Sequence, residues 1–124
     1  MKYFNYCNSI FYIAYGLFGA FAPQSLAGAL GWSLTQLGQH EMRAYCLSIS
    51  AFGIIMFLAT KKSTDQKTVL KSIIFITLSF LTGRILGLLL DGSGPIQTYM
   101  EIIFEIALIT LGLFLLKRTK EMVF

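Results

Sequence analysis

Apolar residues fill this chain in four blocks, residues 4–22, 41–60, 69–90 and 96–116. Each is close to the roughly 20 residues of helix that cross a ~30 Å hydrocarbon layer. Short polar segments separate the blocks, and short connections join neighbours running in opposite directions. The pattern predicts an all-α integral membrane protein: one transmembrane domain over residues 1–124, packed as a left-handed antiparallel four-helix bundle.

The junctions refine this picture. Pro23 closes the first span, because proline lacks the N–H that a helix interior needs. Leu26, Ala27, Leu30 and Trp32 follow at spacings that suit a short amphipathic helix in the membrane interface between the first and second spans. Ser33-Leu34-Thr35-Gln36 has the form of a capping box. The second helix therefore begins either at the membrane near residue 41 or ahead of it near residue 34. Ser63 with Gln66 repeats the capping pattern before the third span. Asp91-Gly92-Ser93-Gly94-Pro95 ends that span, with glycine suited to the position after a helix and proline to the first turn of the next.

Composition agrees with the block pattern. The chain is 56% hydrophobic and 13% charged, where a soluble domain needs about a quarter charged. Its net charge of +4 does not point to nucleic acid, because the basic residues sit in the short segments between blocks. Lys2, Lys61, Lys62, Lys67, Lys71, Lys117, Arg118 and Lys120 all fall on one side of a four-span arrangement, and the loops of the other side carry no lysine or arginine. The positive-inside rule makes the basic side cytoplasmic, together with both termini. Lys2, the first apolar block and Ala20-Phe21-Ala22 imitate a signal peptide. Pro23 directly after that point disfavours cleavage, so the first segment is expected to stay. Cys7 and Cys46 fall near opposite faces of the membrane, beyond the ~7 Å Cα separation a disulfide spans, and are expected to be free.

The charges inside the blocks are the candidate chemistry. An ionised side chain in hydrocarbon has to be paired, hydrated or functional. Arg84 lies about 10 Å from the far end of the third helix, at 1.5 Å per residue. Glu105 lies at a similar depth in the fourth, with Glu101 one turn above it on the same face. Two carboxylates thus face one arginine. Gly83 and Gly87 flank Arg84 in a small-xxx-small pattern that predicts close helix packing there. Asp91 shares Arg84's face, and Glu41, Tyr45 and Ser48 form a polar stripe on the second helix. Asn5, Asn8, Tyr12 and Tyr15 form another on the first. The outer half of the bundle is thus expected to hold Glu41, Arg43, Arg84, Asp91, Glu101 and Glu105, with His40 at its mouth. Three readings of this cluster stay open: a structural ion-pair network, a ligand site, or a contact with a partner subunit. His40, Glu41, Glu101 and Glu105 have no spacing typical of a metal site, so neither metal nor cofactor is expected. No nucleophile motif, phosphate loop or nucleotide fingerprint occurs.

Tyr15-Gly16, Pro23, Glu41-Met42-Arg43-Ala44, Arg84 with Gly87, Asp91-Gly92 and Glu101 or Glu105, in that order, resemble a family of short bacterial four-helix membrane proteins classed as a domain of unknown function. Cys46 and Leu47 stand where that pattern tends to have glycines. The architecture is also similar to that of DoxX-like membrane proteins. The resemblance implies a bundle in a bacterial inner membrane and no particular reaction. The expected function is binding of a small amphiphile, such as a lipid or quinone-like molecule, at Arg84, Glu101 and Glu105. The alternative is an accessory or assembly subunit whose charges are purely structural. Membrane lipid is an expected partner, a homo-oligomer or a partner membrane subunit stays open, and enzymatic activity is left undecided.

Overall fold

The computed structural model describes residues 1–62 and 65–121. It is all-helical, with α1 at Lys2–Phe21, α2 at Pro23–Ala29, α3 at Gln36–Lys61, α4 at Gln66–Asp91 and α5 at Ile96–Glu121. The chain forms two compact units, one built of α1, α2 and α3 and the other of α4 and α5. Three helices, α3, α4 and α5, are long and apolar enough to cross a membrane. The first block differs from expectation. It passes that test only when α1 and α2 are taken together, and the two are bent by 115° at the break before Pro23. The reason lies in α1 itself, whose 20 residues include Asn5, Asn8, Ser9 and four tyrosines.

Burial in the first unit is the reverse of that in a soluble protein. The face that α1 hides carries Asn5, Asn8, Ser9, Tyr12, Gly16, Gly19 and Ala20, while Ile10, Phe11, Leu17, Phe18 and Phe21 are exposed. A helix that turns its polar stripe inward and its large apolar side chains outward is suited to lipid. It meets α3 along a seam of small residues. A Cβ added at Gly16 would collide with the Cys46 carbonyl and come within 2.6 Å of the Ser50 backbone nitrogen. One at Gly19 would strike Cys46 Sγ, and one at Gly53 would lie 2.9 Å from the Ser9 carbonyl oxygen and Ile13 N. Ser50 Oγ donates across the seam to the Ile13 carbonyl at 3.3 Å, and Tyr6 stacks at a tilt on Phe57 with ring centroids 5.0 Å apart. These pairs run antiparallel, so Lys2 and Lys61 share one end of the unit.

Local chemistry sets the breaks. α2 closes on Gly31, whose φ of 77° suits glycine alone among common residues. Gly31 N bonds to the Gly28 carbonyl at 3.1 Å and Trp32 N to the Ala27 carbonyl at 2.7 Å, the paired bonds of a Schellman motif. α3 starts at Gln36 rather than near residue 34, because Thr35, not Ser33, is its cap. Thr35 is extended, and its side chain accepts from Gly38 N at 3.1 Å. The Ser63–Gln66 capping pattern lies outside the described residues. Gly92, after α4, has a φ of +91°, and Thr98 N bonds back to the Pro95 carbonyl at 3.0 Å to open α5. Cys7 is exposed and Cys46 buried, both free.

In the second unit α4 and α5 run antiparallel. Gly112 lets them approach near the basic end, where a Cβ would lie 2.8 Å from Ile74 Cγ1. Val69, Leu70, Ile73 and Thr77 are buried at that end. Toward Asp91 the helices carry exposed Leu78, Phe80, Ile85, Leu86, Leu89 and Leu90, and on α5 Ile96, Met100, Ile103 and Phe104. The close packing expected at Gly83 and Gly87 is absent: a Cβ at either would meet no atom within 4 Å. Arg84 faces α5, and a step of about 100° per residue carries its flanking glycines round to either side. Hydroxyls along these helices bond to their own backbone four residues earlier. Ser72, Thr77, Ser79, Thr82 and Thr110 each do so at 2.8–2.9 Å, which satisfies them where water is scarce.

Candidate ion-paired site

Arg84 reaches across from α4 to two successive turns of α5. The turn at residues 92–95 fixes the register of the two helices, so that Arg84, about seven residues before the end of α4, lies level with Glu101 and Glu105. Its Nε donates to Glu105 Oε1 at 2.9 Å, and its Nη1 pairs with Glu101 Oε2 at 2.5 Å. A guanidinium suits this task because its planar fork offers donors in fixed directions. The three side chains differ in burial. Arg84 and Glu101 keep 28% and 30% of their side-chain surface, whereas Glu105 keeps 9%.

Glu105 is therefore the deepest charge of the site, and it is only half satisfied. Its Oε2 is buried and meets no hydrogen-bond donor among the described residues. A buried acceptor left in this state costs about 1–3 kcal/mol, and more when charged. Formally, one guanidinium stands against two carboxylates. Two of the five N–H donors of an arginine are engaged in these pairs. The arrangement thus offers an acceptor without a donor beside a cation with donors to spare.

The other candidate residues have separate surroundings. Asp91 is the exposed last residue of α4 and forms no ion pair among the described residues. Glu41, Tyr45 and Ser48 lie on the exposed side of α3, since Met42, Cys46, Ser50 and Gly53 take the side facing α1. Glu41 likewise forms no ion pair among the described residues, and Ser48 bonds to the Ala44 carbonyl at 2.9 Å. Arg43 caps a helix: its Nη1 donates to the Ala20 carbonyl at 2.5 Å. In an unbroken helix that oxygen would accept from residue 24, but the bend at Pro23 removes the partner, and a cation is favoured at a helix C-terminus. Sequence reasoning took Arg43 for part of a charge cluster and missed this role, although a proline closing the preceding helix was the available signal. Among the described residues no three of His, Cys, Asp and Glu gather as metal ligands.

No curated protein and no solved structure matches the chain. A family match spans residues 2–116, and so takes in both compact units and every residue of the Arg84 site. The chain belongs to the family described as Domain of unknown function (DUF4345).

Proposed function

We propose that the protein is a four-helix antiparallel bundle of a bacterial inner membrane, akin to DoxX-like proteins, that binds a small amphiphile at Arg84, Glu101 and Glu105. In this reading the bent α1–α2 pair supplies the fourth span. The basic side chains at the Lys2–Lys61 end of one unit and the Lys67–Arg118 end of the other mark the cytoplasmic side, by the positive-inside rule. The charged site then lies in the outer half, reached from the outer leaflet, and its ligand is a lipid or quinone-like molecule. The observation that carries the proposal is the buried, donorless Glu105 Oε2 beside an arginine with unused donors. A purely structural pair has no need of an orphaned acceptor at its most buried point.

The test is native mass spectrometry of the full chain released from membranes in mild detergent. Wild-type protein retains a small amphiphile. Arg84→Met loses it, and Arg84→Lys, which keeps the charge but not the planar fork, retains at least tenfold less. Equal retention by the wild type and the folded lysine variant overturns the proposal. A second reading, an accessory or assembly subunit, is favoured by the open surface beside Gly83 and Gly87 on α4, since small residues allow another helix to approach. It predicts stable co-purification with a larger membrane complex or a second copy, and no retained small molecule.

A further inference from the structure

The hydrogen-bonding and charge state of the Arg84 site specify its ligand more narrowly, on the premise that it is a ligand site at all. We infer that it takes a neutral headgroup bearing a hydroxyl on an apolar tail, of the hydroquinone type, and discriminates against both anions and groups that only accept hydrogen bonds. Three observations lead there. First, the formal charge is already negative, with two carboxylates against one guanidinium. An anionic headgroup would add like charge where water is scarce and interactions are weakly screened.

Second, the acceptor that lacks a partner is Glu105 Oε2, on a side chain more than nine-tenths buried. Only a ligand that donates can satisfy it. A carbonyl or ether oxygen leaves it as it stands. Arg84 has three N–H groups beyond its two pairs, so a hydroxyl oxygen can accept from the guanidinium while its hydrogen goes to Glu105. A hydroxyl is the smallest group that does both at once. Third, the site lies about 10 Å from the end of the span. A zwitterionic headgroup would have to bring a phosphate and an ammonium to that depth, whereas a hydroxyl carries no charge to desolvate. Exposed Ile85, Met100, Ile103 and Phe104 on the same two helices provide apolar surface for the tail.

A site built to bond a hydroxyl rejects the analogue lacking it far more strongly than an apolar pocket does, because its own polar group is then left unpaired. The probes are decylhydroquinone and decylquinone, which share ring and tail and differ in whether the ring oxygens donate. Titrated under anaerobic conditions into the full chain in lipid nanodiscs, the hydroquinone binds at least tenfold more tightly than the quinone. Glu105→Gln, which can place an amide donor at Oε2, narrows the ratio to threefold or less. Equal binding of the two forms, or preference for the quinone, overturns this inference. If that binding is still lost in Arg84→Met, the amphiphile site itself stands. Binding of neither form overturns the inference, and retention of a different amphiphile in the mass-spectrometric test then separates its failure from that of the site.

Discussion

Gly16→Leu abolishes the folded first unit. At this position the obstructing atoms are the Cys46 carbonyl oxygen and the Ser50 backbone nitrogen, and backbone cannot rotate away as a long side chain can. Overpacking a core usually costs about 1–3 kcal/mol. Here α1 and α3 have to separate, so a loss at or above the top of that range is expected. It would appear as aggregation on size-exclusion chromatography in detergent, or as a fall in unfolding temperature of more than about 10 °C. Gly83→Ala and Gly87→Ala supply the contrast. Both positions face open space, and alanine gains about 1 kcal/mol of helix propensity over glycine, so each variant is neutral or slightly more stable. Equal damage from Gly16→Leu and Gly83→Ala would contradict the placement of the seam.

The second large effect is that of Arg84→Met on stability. Removing one partner of a buried ion pair costs about 3–5 kcal/mol, because the other charge is stranded. Arg84 and Glu101 keep about a third of their exposure, which favours the low end, roughly 3 kcal/mol, most of it through Glu105. Removing all three charges together, in Arg84→Met with Glu101→Gln and Glu105→Met, recovers most of that loss, since well-packed apolar replacements of buried ion pairs are often neutral. Equilibrium unfolding in mixed micelles measures both. An Arg84→Met protein as stable as wild type would mean that the pairs contribute nothing to holding α4 and α5.

The sequence made some of this legible and hid the rest for physical reasons. Arg84, Glu101 and Glu105 were readable together because depth in a membrane is fixed by residue count from the helix ends, and an antiparallel pair with a short turn permits one register. The site's asymmetry was not readable. Which carboxylate oxygen is left without a donor depends on side-chain geometry that spacing does not encode. The small-xxx-small pattern at Gly83 was read without its direction, and once Arg84 turns toward α5 those glycines cannot face it. The working seam was present as Gly16, Gly19 and Gly53 with Ser9, Cys46 and Ser50, but split between two distant helices, so no local motif announced it. Arg43 was assigned to a charge cluster on the premise that a membrane arginine seeks a carboxylate. A carbonyl freed by a helix break is an equally good partner, and Pro23 supplies one at Ala20.

Polar groups turned inward, hydroxyls bonded to their own helices and apolar side chains turned outward all satisfy the same requirement, that no donor or acceptor be left facing lipid. Glu105 Oε2 departs from that rule, and the departure is what makes Arg84 and its partners a candidate site rather than a strut. The most direct test is an experimental structure of the full chain in lipid nanodiscs, resolved well enough to show bound small molecules. Non-protein density within hydrogen-bond distance of both Arg84 and Glu105 Oε2 is the expected result. A dry site in which a protein group donates to Glu105 Oε2, with no such density, would contradict it.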